Sequence, residues 1–333
     1  MWFEKLTGFR EKNPEQVRSM LLLNGEYLVS QVNGQRMRHG VLSTPNLLEL
    51  RANTNHTSSH STQIKLREVV GDVRVLHVAP ENAGAMFQVA SQFNLLEMVG
   101  PQVTPERGVD IYEGDMTQGP ACAIACGAAT IYRNYFVKIG DQRGQSAHHQ
   151  IDCLADIGIA LGNRDHSLWK MQNGYALATK SGLKQISSHL DSASDPEIDQ
   201  LRNKLRIGIQ SSADVTIGEA NHQVSQAFCS ALPVAYSRQP ATLWKPFAKL
   251  VLESAYEATL HAAVQNAKQT GNNRLFLTLL GGGAFGNRMD WIIDAIKRSL
   301  DLFRSHDLDI RIVSYGSSTS SVSALVNEFE SQQ

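Results

Sequence analysis

Hydrophobic positions along the chain alternate between short continuous runs and helical spacing, and the switch points divide it into three parts. Residues 1–70 carry an apolar patch at Ser19-Met20-Leu21-Leu22-Leu23, a turn signal at Asn24-Gly25 and a polar loop over 51–60. Two runs follow, 73–79 and 86–90, each short, apolar and bounded by Gly or Pro, and both are expected to be strands. The spacing predicts a helix from Pro120 to Tyr135, with Ala121, Ile124, Ala125, Ala128, Ala129 and Tyr132 giving a small-residue face suited to close packing. Hairpin punctuation at Gly140-Asp141, Gly162-Asn163 and Asn173-Gly174 marks 138–178, and a polar helical segment runs on to Leu205.

The last third is the most regular. A strand-like stretch over 224–236 leads to a long amphipathic helix that Pro246 opens and Gly271 closes; a buried strand over 274–280, a helix over 288–303 and a final strand over 309–314 follow. Strands alternating with helices predict an α/β fold of three layers, α/β/α, around a mixed sheet. Residues 1–70 are expected to be an N-terminal extension packed on the core. The core domain is expected over 71–333, interrupted by an insertion at about 138–215.

Composition narrows the class. The chain has 333 residues, 42% hydrophobic and 19% charged, which is ordinary for a globular protein. Its 31 basic and 32 acidic residues give a net charge of -1. No global field therefore draws it to nucleic acid or to an anionic membrane. The start of the chain lacks the apolar core of a secretory signal, and no apolar run approaches a membrane span of roughly 18 residues, so a cytoplasmic location is expected. Cys122, Cys126, Cys153 and Cys229 are too few and too irregularly spaced for a disulfide framework and are expected to be buried thiols. The pairs His148-His149 and His56/His60 are read as solvated loop residues, so neither a metal nor a cofactor is expected.

Two segments carry chemistry. Gly281-Gly282-Gly283-Ala284-Phe285-Gly286-Asn287 lies between the buried strand and the next helix. Glycines there leave backbone N–H groups uncovered at a helix N-terminus, which suits a phosphate or diphosphate; the alternative is a tight turn that needs positive φ. Asn287 is placed either to cap the helix or to touch the ligand. Gly281, Gly283 and Gly286 also fit the dinucleotide pattern G-x-G-x-x-G, yet one helix and one strand remain after it where a Rossmann unit needs more, which weakens an oxidoreductase reading. The second segment, 108–120, holds Asp110, Glu113 and Asp115 just ahead of a helix. Carboxylates this close cannot all ionise freely, which suits glycosidic acid/base chemistry; a solvated loop with Asp115 or Thr117 as helix cap is the alternative, and a hard divalent cation on oxygen ligands is a third option, though no recognised metal loop is present.

The order of three segments, strand and polar loop 89–94, the Gly/acidic loop running into a helix, and the loop 281–287, resembles that of the ligand loops of macrodomains, which bind ADP-ribose. The details are most similar to divergent macrodomain-type ADP-ribosyl hydrolases, the MavL-type arginine-ADP-ribose hydrolases among them. The resemblance implies a macrodomain-like fold and an enzyme that removes ADP-ribose from modified protein, at arginine side chains. It implies Asp110, Glu113 and Asp115 as catalytic acids, with Asn94 beside the distal ribose and Gln92 nearby. Thr117 and Gln118 are implied as ligand contacts, Gly281, Gly282, Gly283, Ala284 and Gly286 around the diphosphate, Phe285 over the ribose, and Tyr315 against adenine. The partners implied are ADP-ribose and ADP-ribosylated protein. A non-catalytic ADP-ribose reader is the alternative, since it needs the glycine loop without the acids.

Overall fold

The computed structural model describes residues 1–54 and 63–331. Its centre is a seven-stranded mixed sheet. In chain order the strands are β1 (Val41–Ser43), β2 (Lys65–Val70), β3 (Met86–Ala90), β4 (Gly208–Asp214), β5 (Gln223–Cys229), β6 (Arg274–Leu277) and β7 (Asp309–Ser314). Their order across the sheet is β1-β4-β5-β3-β6-β7-β2. The run β5-β3-β6-β7-β2 is parallel throughout, and β4 and β1 continue it with antiparallel pairings. The chain leaves β3 to pair on one side with β5 and returns on the other side with β6. Loops after these strands diverge there, the position where α/β sheets open a crevice at the carboxyl ends of their strands.

Helices cover both faces. On one lie α1 (Val73–Val78), α2 (Gln118–Ala125) and α3 (Gly127–Tyr135); on the other lie α4 (Ala241–Thr270) and α5 (Met289–Leu302), with α6 (Ser320–Glu330) against β2 and α5. Adjacent residues of β3 make the layering concrete, because successive side chains of a strand point to opposite faces. Phe87 stacks on His77 of α1 at 3.7 Å between ring centroids, whereas Gln88 Nε2 donates to Thr259 Oγ1 of α4. The expected α/β architecture with helices on both faces of a mixed sheet is therefore the observed one.

Several boundaries differ from expectation, each for a local reason. Residues 73–79 form a helix, not a strand: Asp72 accepts the Arg74 N–H as N-cap, and burial falls on Val73 and His77, four apart, leaving Val75 exposed. The expected single helix to Tyr135 starts at Gln118 and is cut at Cys126, because Thr216 intervenes. Its N–H donates to Ala125 O and its Oγ1 accepts from Gly127 N, both at 2.8 Å. The strand after 224 stops at Cys229. The long helix begins at Ala241, so Pro246 lies inside it, and Gly271 closes it in the left-handed region with φ 78°. Gly140-Asp141 and Asn173-Gly174 do sit at hairpins, but Gly162 ends the helix Ala155–Leu161. Residues 51–54 of the polar loop expected over 51–60 belong to the helix Leu47–Thr54; the rest of that stretch, with His56 and His60, lies outside the described residues.

The N-terminal 70 residues do more than pack on the core, because they supply both edge strands, β1 and β2. The stretch before β1 forms a small lobe in which Phe3, Val17, Leu21, Leu28 and Met37 bury against Ala128, Ile131 and Tyr135 of α3. Likewise β4, inside the segment read as an insertion, is a member of the central sheet, so that segment ends before residue 208. All four cysteines are free and buried. No helix among the described residues is long and apolar enough to cross a membrane.

Candidate active site

A cleft of about 490 Å³ opens at the carboxyl ends of the parallel strands. Its walls are the strand ends and the segments that follow them: Ala231 and Tyr236 after β5, Ala90 to Gln92 at the end of β3 and Glu97 to Val99 beyond it, Thr278 to Gly281 and Gly283 to Phe285 after β6, Tyr315 and Thr319 after β7, and Gly71 to Arg74 after β2. Asp115 to Ala121, leading into α2, close one side. Volume and position are those of a small-molecule site.

The middle of the cleft is the glycine loop. It is folded by its own backbone: Gly282 N donates to Leu279 O, Gly286 N to Gly283 O and Asn287 N to Gly281 O, at 2.9 to 3.0 Å. Gly281 and Gly286 take φ of 73° and 69°, and a Cβ on either would strike Ala231 or Ala235. Those bonds leave the N–H groups of Gly283, Ala284 and Phe285 without a partner among the described residues. Gly283 and Ala284 are exposed. Consecutive unpaired amides in an open turn form an anion cradle. Phe285 is half-buried, its ring packed on Tyr175 and Tyr236 at 5.2 and 5.6 Å. Asn287 neither caps α5 nor faces the cleft; it is buried and its Nδ2 donates to Leu232 O, which ties the loop to the segment after β5.

At one end of the cleft stands a carboxyl pair, Glu97 and Asp115. Glu97 is buried, with Oε1 making no hydrogen bond, and desolvation raises its pKa well above the usual carboxylate range, against the Arg133 cation that lowers it. The charge of nearby Asp115 pushes in the same direction as burial. Burial therefore favours the protonated, neutral form of Glu97 over the carboxylate. Its main chain is held from several sides: Glu97 N donates to Tyr112 Oη, Gln92 exchanges two hydrogen bonds with the Met98 backbone, and Tyr175 Oη donates to Met98 O. Leu95, two residues earlier, has φ 65°, a conformation an L-residue adopts at a cost of order 1–3 kcal/mol and keeps only where its surroundings impose it. Asp115 Oδ1 accepts from both N and Oγ1 of Thr117, which fixes the carboxylate ahead of α2.

At the other end, Tyr315 projects with 72% of its surface exposed, near the Asp72–Arg74 ion pair. Across the sheet the order is acids after β3, amides after β6, aromatic side chain after β7. Strands about 4.8 Å apart make this span roughly 10 Å.

No protein-family model matches the chain, and no curated protein matches it. Among solved structures, the chain is similar to poly(ADP-ribose) glycohydrolase from Deinococcus radiodurans in complex with ADP-ribose, at 13% identity over 97% of this chain and 99% of that one, with a TM-score of 0.46. It is also similar to the poly(ADP-ribose) glycohydrolase of Thermomonospora curvata bound to the inhibitor ADP-HPD, at 11% identity over 95% and 97% of the two chains, with a TM-score of 0.44.

Of the residues expected at the site, the cleft brings together Gln92, Asp115, Thr117, Gln118, Gly281, Gly283, Ala284, Phe285 and Tyr315. Gly282, Gly286 and Asn287 shape the glycine loop without lining the cleft. Gln118 lines it, but its amide is spent on Ala90 N, Gln88 O and Cys122 Sγ, which fastens α2 to β3. Asn94 is buried outside the cleft, bonded to Leu96 N and Gln150. Two of the three expected acids also lie elsewhere. Asp110 is buried against the N-terminal lobe, its N–H donating to Glu11 and its carboxylate 3.5 Å from Arg107, and Glu113 accepts from Trp2 N. Both stand on the single-turn helix Asp110–Gly114, and neither lines the cleft. Glu97 was not foreseen, since a lone acid in an apolar loop, Leu95-Leu96-Glu97-Met98-Val99, has no spacing partner in the sequence. That apolar setting was itself the available signal.

Proposed function

We propose that the protein is an ADP-ribosyl hydrolase. The reading is carried by the order of groups along one cleft: a neutral buried acid beside a fixed carboxylate, then unpaired amides, then an aromatic ring, in the sequence ribose, diphosphate, adenosine. The diphosphate sits on the Gly283, Ala284 and Phe285 amides, and that binding energy holds the distal ribose C1 against the acids. Water oxygen bonds to C1 as the bond from C1 to the leaving group breaks and its electron pair departs with that group. Glu97 donates its proton to the leaving atom. Asp115 stabilises the positive charge building on the ribose and takes the proton of the attacking water; solvent then returns both carboxyls to their starting states.

For the acceptor we favour arginine. Asp115 offers a guanidinium an anionic partner at the mouth of the cleft, and a neutral Glu97 supplies the proton that a departing guanidine needs. The test is release of ADP-ribose from substrates modified on arginine, on a carboxylate and on serine, assayed side by side. Preferred turnover of the arginine conjugate supports the linkage; release from none, with tight ADP-ribose binding, would make the protein a reader instead.

A further inference from the structure

The base end of the cleft is a turn, and one side chain outside the cleft holds it. Glu68, on edge strand β2, accepts at Oε1 from Ser314 Oγ (2.6 Å) and Thr319 N (2.8 Å), and at Oε2 from Ser318 Oγ (2.6 Å) and Ser323 Oγ (3.0 Å). Both flanks of the Tyr315 turn and the first turn of α6 are thus tied to a single carboxylate. Desolvation would raise its pKa, but the hydrogen bonds from Ser314, Ser318, Thr319 and Ser323 outweigh it and hold the group at about 2, so the clamp is ionised at every working pH. Two neutral contacts also span the turn, Ser314 Oγ with Thr319 Oγ1 (3.3 Å) and Ser318 Oγ with Ser323 Oγ (2.8 Å), but among the described residues Glu68 is the one charged group bonded to both flanks; Tyr315 is exposed and Gly316 sits at φ 78°. Helix α6 has its own anchor in the buried Val322, Leu325 and Phe329. Loss of Glu68 therefore loosens the turn while the helix stays docked.

We infer that Glu68 is a positioning residue for nucleotide binding, pre-ordering the Tyr315 turn so that the adenosine end of the ligand meets a formed platform. This rests on the reading of the cleft as an ADP-ribose site. An ordered turn spares the ligand the entropy of ordering it, which is felt as affinity and not as the rate of the chemical step.

The experiment is calorimetry with ADP-ribose, together with steady-state kinetics on an ADP-ribosylated arginine substrate, for the full chain and for Glu68→Ala, Glu68→Gln, Tyr315→Ala and the Glu68→Ala/Tyr315→Ala double variant. Glu68→Ala is expected to raise Kd and KM about tenfold and leave kcat within about twofold. Glu68→Gln, which keeps an acceptor oxygen, recovers most of the affinity. The double variant binds no more than about twofold more weakly than Tyr315→Ala, because both changes remove the same platform. Unchanged Kd in Glu68→Ala, a fall in kcat at constant KM, or additive losses in the double variant would each overturn the inference while leaving the ADP-ribose reading in place. Failure of the wild-type chain to bind ADP-ribose would overturn both, and is seen before any variant is compared.

Discussion

Glu97 and Gly119 share one space: a Cβ built on Gly119 would overlap the Glu97 carboxyl and the Ala90 carbonyl together. The first turn of α2 can approach β3 only without a side chain there, and the gap it leaves is where the acid sits. Gly119→Ala is therefore expected to push the first turn of α2 off the Ala90 carbonyl, with a loss of thermal stability, and to displace Glu97. A shift of the order of 1 Å at a reacting group costs about 10²-fold in rate, so kcat should fall by about that factor with ADP-ribose affinity held within a few-fold. Kinetics and calorimetry on this variant check it.

Glu97→Gln keeps the shape of the side chain and removes its transferable proton. Turnover is expected to fall about 10²- to 10⁴-fold, while the thermal midpoint stays within about 2 °C, equivalent to roughly 1 kcal/mol or less. The raised pKa of the acid also fixes the pH dependence. Wild-type kcat is expected to decline with rising pH as Glu97 loses its proton, with a midpoint displaced upward from the usual carboxylate range by burial, a limb that the variant lacks.

The three acids of the 108–120 loop separate by position. Asp115→Ala is expected to lower kcat by at least about 10²-fold. Asp110→Ala and Glu113→Ala, whose side chains face the N-terminal lobe, leave turnover within a few-fold; any loss appears as lowered thermal stability. Parallel rate and melting measurements on the three variants decide this.

The joint between lobe and core is pH-sensitive. Glu11 accepts from Tyr135 Oη at 2.6 Å and from Asp110 N at 2.7 Å, yet burial outweighs these bonds and raises its pKa to about 7. An acid that keeps its proton longer folded than unfolded contributes stability fully present below pH 4.5, and that contribution is lost as pH rises towards 7. The lobe should accordingly be held more firmly at pH 5 than at pH 8, and Glu11→Gln should flatten the difference. Hydrogen exchange of residues 1–38 at the two pH values reads it directly.

Periodicity and turn chemistry made the layers of the fold legible, because β3, β6 and β7 are apolar runs whose neighbours are amphipathic helices. What stayed hidden depended on distant partners. Thr216 cuts the helix at Cys126 from 90 residues away, and nothing within Val73–Val78 reveals that Asp72 caps it as a helix. The glycine loop was legible as an anion cradle because its chemistry is its own backbone. The acids were half legible. Asp115 precedes α2 and stays in the cleft, but charge density in the loop hid that Asp110 and Glu113 lie outside it, and Glu97 keeps its proton through burial that only the folded chain supplies.

The most direct measurement is a crystal structure of the protein soaked with ADP-ribose. Diphosphate oxygens are expected within hydrogen-bond reach, about 3 Å, of the Gly283, Ala284 and Phe285 amides, with adenine against Tyr315 and the distal ribose C1 facing Glu97 and Asp115. A nucleotide bound away from the glycine loop, or bound there with its distal ribose turned from those two acids, would contradict this placement.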